Sequence, residues 1–399
     1  MVERRTENPC VASSILALGT MKKLSFESFF MPSFSCHFIC HPVRFFSMRL
    51  TIDARMMGPA NTRGIGRVVE ELVKAIQPMK GTDEVTLVQD AIPWYGVAEQ
   101  TKLPGILSAT RPDVVFFPHW NIPLLYRAPF VVMIHDLLLL HEPASAKIST
   151  KGFLTQLIKR IGYRIVLSHA IRGSKKILVP TEDVAADIRR FYRSAESKIV
   201  VIGEGMPVPD TDTMLQPPEQ PPYLLMVGSA YPHKGHETFF DAWPSVASVH
   251  PDLHLKIVGE KDVFMNRLIR LAEERKLPRI QFLGSVDDAR LADLYRRATA
   301  YVFPSRFEGF GLPPLEALSH GCPALVSDIP VLREVLGNTS AIFFQPSDSD
   351  AILRAISRVV SGGQETRAEA IRSARELAHR HSWRRSAEKT LQAIRESIS

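Results

Sequence analysis

The chain has 399 residues, 45% hydrophobic and 23% charged, which is ordinary globular usage with enough apolar material for two separate cores. Lys and Arg outnumber Asp and Glu by 49 to 42, but the basic residues are spread along the chain and no nucleic-acid motif accompanies them, so a nucleic-acid partner is not expected. The four cysteines, Cys10, Cys36, Cys40 and Cys322, show neither a disulfide framework nor zinc spacing, and a reducing cytoplasm is the default compartment.

Residues 1–47 are rich in Phe, Ser and Cys without a sustained period, and are expected to be an unstructured extension or a mis-assigned start. Arg4 and Arg5 ahead of Val11 to Leu18 only faintly imitate a signal peptide, because polar residues separate the two parts. The globular pattern begins at Met48-Arg49-Leu50-Thr51-Ile52-Asp53. From there strands are expected at Leu50–Ala54, Glu84–Val88, Asp113–Phe117, Phe130–His135, Lys176–Pro180 and Lys198–Ile202, with helical patterns between them. Such alternation predicts a parallel, doubly wound α/β sheet.

Four stretches of this first half are candidates for function. Thr62-Arg63-Gly64-Ile65-Gly66-Arg67 follows the first strand and opens an apolar-periodic helix; its glycines allow either a tight turn or close approach of backbone to a ligand. It is not a full dinucleotide fingerprint, which weakens a dehydrogenase reading. His135-Asp136 ends an apolar strand, where a histidine serves either structure or a ligand at the sheet edge, and His119-Trp120-Asn121 is either a second cleft element or a packed loop. Between Lys151 and Lys176, apolar residues at helical spacing alternate with Lys159, Arg160, Arg164 and Arg172. That pattern suits a core-packed helix with a solvated face, or one that docks on an anionic membrane surface. No run of eighteen apolar residues occurs, so a membrane span is not expected.

Met206 to Pro222 holds six prolines and no period, and reads as an inter-domain linker. Beyond it a second alternating series runs through Tyr223–Val227, Leu253–Val258, Ile280–Leu283, Ala300–Phe303 and Ala324–Ser327. The expected division is therefore 48–205, 206–222 and 223–379.

The most informative stretch is Glu308-Gly309-Phe310-Gly311-Leu312-Pro313-Pro314-Leu315-Glu316, a Gly-rich loop between a buried strand and a helix with a carboxylate at each end. Proline in the first helical turn leaves the remaining amides available, and the helix dipole favours anions there. Eight helical residues rise about 12 Å, more than carboxylate-pair glycoside hydrolysis uses, so two separate binding roles fit better.

With these residues in place, the sequence resembles the retaining glycosyltransferases of family 4, whose fold is GT-B. The family pattern E-G-F-G-L-P-x-L-E-A stands intact from Glu308 to Ala317. The resemblance implies two Rossmann-like, doubly wound domains facing across a cleft, with a final helix, 380–399, returning to the N-terminal domain. It places Glu308 on the transferred sugar, Glu316 on the ribose hydroxyls, and the amides of Gly309, Phe310, Gly311 and Leu312 on sugar and phosphate. Gly64 would lie over the diphosphate, His135 on the donor sugar, Val286 beside the nucleobase, and Lys234 against the leaving diphosphate. Relatives carry Arg directly after Gly228, where this chain has Ser229, and Arg306 or His233 is the expected substitute. Glu308, His135 and Lys234 are thus the expected catalytic residues.

The implied reaction moves a hexose from a nucleoside diphosphate sugar to a glycan or glycolipid acceptor. Pro232-His233-Lys234 resembles a mannosyltransferase-like subgroup, which puts GDP-mannose ahead of UDP-glucose and UDP-N-acetylglucosamine. No metal and no resident cofactor are expected, the nucleotide-sugar being a substrate. The expected location is cytoplasmic, peripheral on the inner face of the membrane. A nucleotide-sugar epimerase of the same architecture and a non-catalytic nucleotide-sugar-binding module are the alternatives; the intact loop and Lys234 favour transfer.

Overall fold

The computed structural model describes residues 47–58, 64–94, 96–142, 153–209 and 218–398, with side chains from residue 157 onward in the fourth stretch. The expectations for residues 1–46, for Thr62 and Arg63, and for linker residues 210–217 fall outside this range.

Two six-stranded sheets, parallel throughout, organise the described residues. The first comprises β1 (Arg49–Asp53), β2 (Glu84–Val88), β3 (Val114–Phe117), β4 (Phe130–Met133), β5 (Lys176–Val179) and β6 (Ile199–Val201), in the order β2-β1-β3-β4-β5-β6. The second comprises β7 (Tyr223–Val227), β8 (His254–Val258), β9 (Ile280–Gly284), β10 (Ala300–Phe303), β11 (Ala324–Ser327) and β12 (Ile342–Phe344), in the order β12-β11-β10-β7-β8-β9. Helices cover both faces, so β3, β4, β10 and β11 are buried along their whole length and read as continuous apolar runs. The edge strand β2 alternates in exposure instead.

Two expectations need correction. The strand containing Val131 and Val132 stops at Met133, leaving His135 in the loop beyond it, and β12 adds a strand that the sequence does not announce, because three residues cannot establish a period.

The polypeptide crosses between the two halves twice, side by side. The Met206 N–H donates to the His381 carbonyl at 3.1 Å, and Gly205 lies so close to Trp383 that a Cβ would overlap the indole and its backbone nitrogen. After the second crossing, the helix Trp383–Glu396 packs Ala387, Leu391 and Ile394 against Val68, Leu72 and Ile76 of the helix Ile65–Ile76. Lys389 Nζ donates to the Val201 carbonyl at 3.1 Å, and Arg395 pairs with Asp83 at 2.8 Å, fixing that helix to the first sheet's layer.

Candidate active site

In each sheet the strand order reverses once, between β1 and β3 and between β7 and β10. Connections leave opposite faces at such a point, opening a crevice at the strands' carboxyl ends. β7 and β10 are direct neighbours, with Leu224 opposite Ala300 and Leu225 opposite Tyr301, so the loops that follow them lie together. The Arg306 N–H donates to the His233 carbonyl at 2.7 Å, and Gly235, at φ +73°, presses where a Cβ would overlap the Pro304 carbonyl. This contact carries Lys234 to Glu308: the ammonium lies 2.6 Å from Oε1, with both side chains largely buried, and 5.5 Å from the Phe303 ring centroid.

The loop beyond Glu308 meets the opposite lobe. Gly309 approaches the His135 carbonyl so closely that a Cβ would overlap it, and Thr181 Oγ1 donates to the Gly309 carbonyl at 2.9 Å. Phe310 is buried edge-on against His381, 5.4 Å between centroids, at the double crossing. Gly311 takes φ +97° to start the helix Leu312–Ser319, and Leu312 packs against the apolar clusters of both lobes. One turn on, Glu316 meets Arg67 Nη1 at 3.2 Å; Arg67 stands in the first turn of the helix Ile65–Ile76, which Gly64 begins at φ +62°. A further bridge joins the lobes where the Glu334 carboxylate accepts from the amides of Glu182 (2.7 Å) and Asp183 (3.0 Å), beside the Thr181 cap.

Comparison with known proteins matches consecutive stretches of the chain to two family models: residues 80–208 to "Glycosyltransferase Family 4" and residues 210–377 to "Glycosyl transferases group 1". The chain belongs to the family 4 glycosyltransferases. Among curated relatives, it is 28% identical over 269 residues to the O-antigen chain mannosyltransferase RfbU of Salmonella typhimurium, covering 67% of this chain and 70% of RfbU. It is 32% identical over 165 residues to the serotype-specific mannosyltransferase WbdA of Escherichia coli, covering 41% of this chain but only 20% of WbdA. Sucrose-phosphate synthase from Thermosynechococcus elongatus shares the fold, with TM-score 0.69 at 19% identity over 88% of this chain and 98% of that one.

In this glycosyltransferase Glu308, Lys234 and the amides of Gly309 to Leu312 come together at the β7/β10 crevice, and Gly64 and Glu316 approach from opposite lobes through Arg67. The other expected residues sit differently. Arg306 is directed at the first lobe, with Nη2 3.1 Å from Glu142 and 3.3 Å from the Pro232 carbonyl, rather than into the position left by Ser229. Val286 follows Gly284, which takes φ +72°, and packs partly buried on the cluster containing Tyr295 and Tyr301. Trp120 stacks edge-on against Tyr163 at 4.7 Å while Asn121 donates to both Glu99 oxygens, which makes that segment a packed loop.

His135 differs most from expectation. Its Nε2 lies 2.9 Å from the Pro118 carbonyl and its Nδ1 3.3 Å from the Glu204 carboxylate, so the expected bond to a donor sugar finds no open ring nitrogen in this arrangement. A carbonyl only accepts, so Nε2 carries a proton, and an imidazolium is the form that satisfies both partners. Burial lowers the pKa of His135, but the hydrogen bond and charge of Glu204, with the Pro118 carbonyl and Asp136, outweigh it and leave it raised above 6.5. Glu204 is distant in sequence and no local pattern marks it.

A raised folded-state pKa stabilises the fold fully below pH 6.5, and this contribution is lost as pH rises through the folded value. Glu204→Gln removes the charge that raises it. We therefore expect the His135 ring, followed by NMR, to titrate at lower pH in the variant, and the variant's stability to decline less between neutral and alkaline pH. An unchanged titration would contradict the assignment of Glu204 as the cause.

Proposed function

We propose that this glycosyltransferase moves mannose, with retention of anomeric configuration, from GDP-mannose to a hydroxyl of a glycan or lipid-linked glycan. The observation that carries the reading is the Lys234–Glu308 pair under the loop amides at the β7/β10 crevice. An ammonium and a run of amides suit a diphosphate, while a carboxylate beside them suits sugar hydroxyls. The similarity to RfbU and WbdA, both described as mannosyltransferases, supports the sugar.

In this reading Glu316 binds the ribose hydroxyls, Glu308 orients the mannose, and Val286 and Gly64 border the base and the diphosphate. The bond from the anomeric carbon to the diphosphate oxygen breaks as the acceptor oxygen bonds to the same face of that carbon, and the acceptor proton passes to the departing phosphate. Lys234 and the amides of Gly309 to Leu312 stabilise the growing negative charge. The contacts of Gly309 with His135 and Thr181 close the lobes over the reacting atoms and exclude water that would hydrolyse the donor. His135, held by Glu204 and Pro118, contributes charge and position beneath this loop.

A membrane-facing acceptor is supported by the helix Phe153–Gly173. It buries Tyr163, Leu167, Ala170 and Ile171, yet Ile158, Ile161 and Ile165 are 61%, 51% and 52% exposed beside exposed Lys159, Arg160 and Arg164. An apolar stripe with cations beside it suits the interface of an anionic membrane. Among the described residues no helix is long and apolar enough to cross one.

One experiment tests the reading: the protein is incubated in chelator with GDP-mannose, UDP-glucose or UDP-N-acetylglucosamine, with and without glycolipid acceptor in anionic or neutral vesicles. We expect GDP release from GDP-mannose that depends on acceptor, and pelleting with anionic vesicles only. Release from UDP-sugars alone would correct the donor, sugar conversion without diphosphate release would indicate an epimerase, and complete loss in chelator would contradict the metal-free reaction. Pelleting independent of anionic lipid would remove the membrane reading.

A further inference from the structure

Around the Gly-rich loop the cationic side chains are held by carboxylates that the donor's hydroxyls would engage. Lys234 is held by Glu308 at 2.6 Å, from within one lobe, and Arg67 by Glu316 at 3.2 Å, from the other lobe. Each pair is neutral. A nucleoside diphosphate sugar adds two negative charges, and Lys234 supplies only one positive charge against them. Ser229 adds none, and the Arg306 guanidinium is turned to Glu142. Arg67 is placed to supply the second: it stands one turn into the helix that Gly64 begins, its side chain is 34% exposed, and its guanidinium already reaches across to the helix that follows the loop.

We propose that Arg67 is a diphosphate-binding residue that Glu316 holds until the donor arrives. The proposal rests on the nucleotide-sugar reading and assigns within it a contact that neither Lys234 nor the loop amides provide. As ribose hydroxyls donate to Glu316, that carboxylate releases Arg67, whose planar fork then binds phosphate oxygens; Glu308 and Lys234 exchange partners in the same way, toward mannose hydroxyls and phosphate. At each stage every cation faces an anion, and the two carboxylates freed by the exchange accept hydrogen bonds from the donor's hydroxyls, which matters in a crevice where water is scarce. Because Arg67 comes from the first lobe and Lys234 from the second, the diphosphate itself ties the lobes together.

The exchange has a signature that a purely structural ion pair lacks. Calorimetry with inorganic pyrophosphate, GDP and guanosine is expected to show Arg67→Ala binding pyrophosphate and GDP roughly 10- to 100-fold more weakly, the loss of a charge-assisted contact. Guanosine affinity should be unchanged, and Arg67→Lys should recover part of the loss. Glu316→Gln should show opposite signs, binding guanosine more weakly but pyrophosphate about fivefold more tightly, since Arg67 no longer has a competing partner. Equal losses for guanosine and pyrophosphate in Arg67→Ala, or unchanged pyrophosphate affinity in both Arg67→Ala and Glu316→Gln, would overturn the proposal while leaving the donor reading intact. Wild-type protein that bound none of the three ligands would overturn both.

Discussion

Lys234→Met is expected to lower the turnover number for sugar transfer by about 10²- to 10³-fold, the usual loss when one preorganised group facing transition-state charge is removed. The charge on the leaving diphosphate grows as its bond to the sugar breaks, so an ammonium fixed beside it stabilises the transition state more than the ground state. Lys234 is fixed from several sides: the Pro232–Lys234 turn ends at Gly235 under Pro304, the Arg306 amide holds the His233 carbonyl, and Glu308 holds the ammonium. Methionine keeps most of the stem and removes the charge. Donor affinity should fall less, roughly tenfold, and stability should fall by about 1–3 kcal/mol, since the variant leaves the largely buried Glu308 carboxylate without its ammonium partner. Steady-state kinetics with the donor, read beside a melting curve, checks this. A turnover number within threefold of wild type would show that Lys234 does not face the leaving group.

Gly309→Ala tests how the lobes close. A Cβ at this position overlaps the His135 carbonyl oxygen and comes within 3.3 Å of Asp136 Cβ, and Thr181 holds the Gly309 carbonyl from the same lobe. Backbone lies on both sides of the clash, so no side chain can swing aside to relieve it. The loop must withdraw or the lobes must part, and a displacement of about 1 Å costs on the order of 100-fold in turnover when reacting groups depend on it. Overpacking at one point costs roughly 1–3 kcal/mol of stability, so the variant should still fold. Gly105→Ala is the matched control: nothing lies within 4 Å of its added Cβ and the residue sits inside the helix Leu103–Ala109. It should leave turnover unchanged and stabilise slightly, by about 0.5–1 kcal/mol. Equal activity in both variants would refute the tight seating of Gly309 on His135.

The parts of this molecule that are local in sequence could be read there. Fully buried parallel strands such as Val114–Phe117 and Ala300–Phe303 are unbroken apolar runs bounded by turn residues, and the Glu308-to-Glu316 loop is continuous, so its strand, glycines and prolines announced their geometry. What could not be read depends on how the lobes meet. The Glu204 carboxylate under His135, the Thr181 hydroxyl on the Gly309 carbonyl and the Arg67 guanidinium on Glu316 each join residues far apart in the chain, with no periodic or compositional trace. Arg306 illustrates the converse: its position beside Glu308 suggested a phosphate ligand, but the side chain runs toward Glu142 of the other lobe.

The diphosphate of a nucleotide-sugar is expected in the crevice between the β7 and β10 loops, and a crystal structure with GDP bound shows whether it lies there. Phosphate oxygens should lie within hydrogen-bond distance of Lys234 Nζ and of amides between Gly309 and Leu312, with ribose hydroxyls on Glu316. GDP seated away from this crevice, or with its phosphates turned from Lys234, would contradict it.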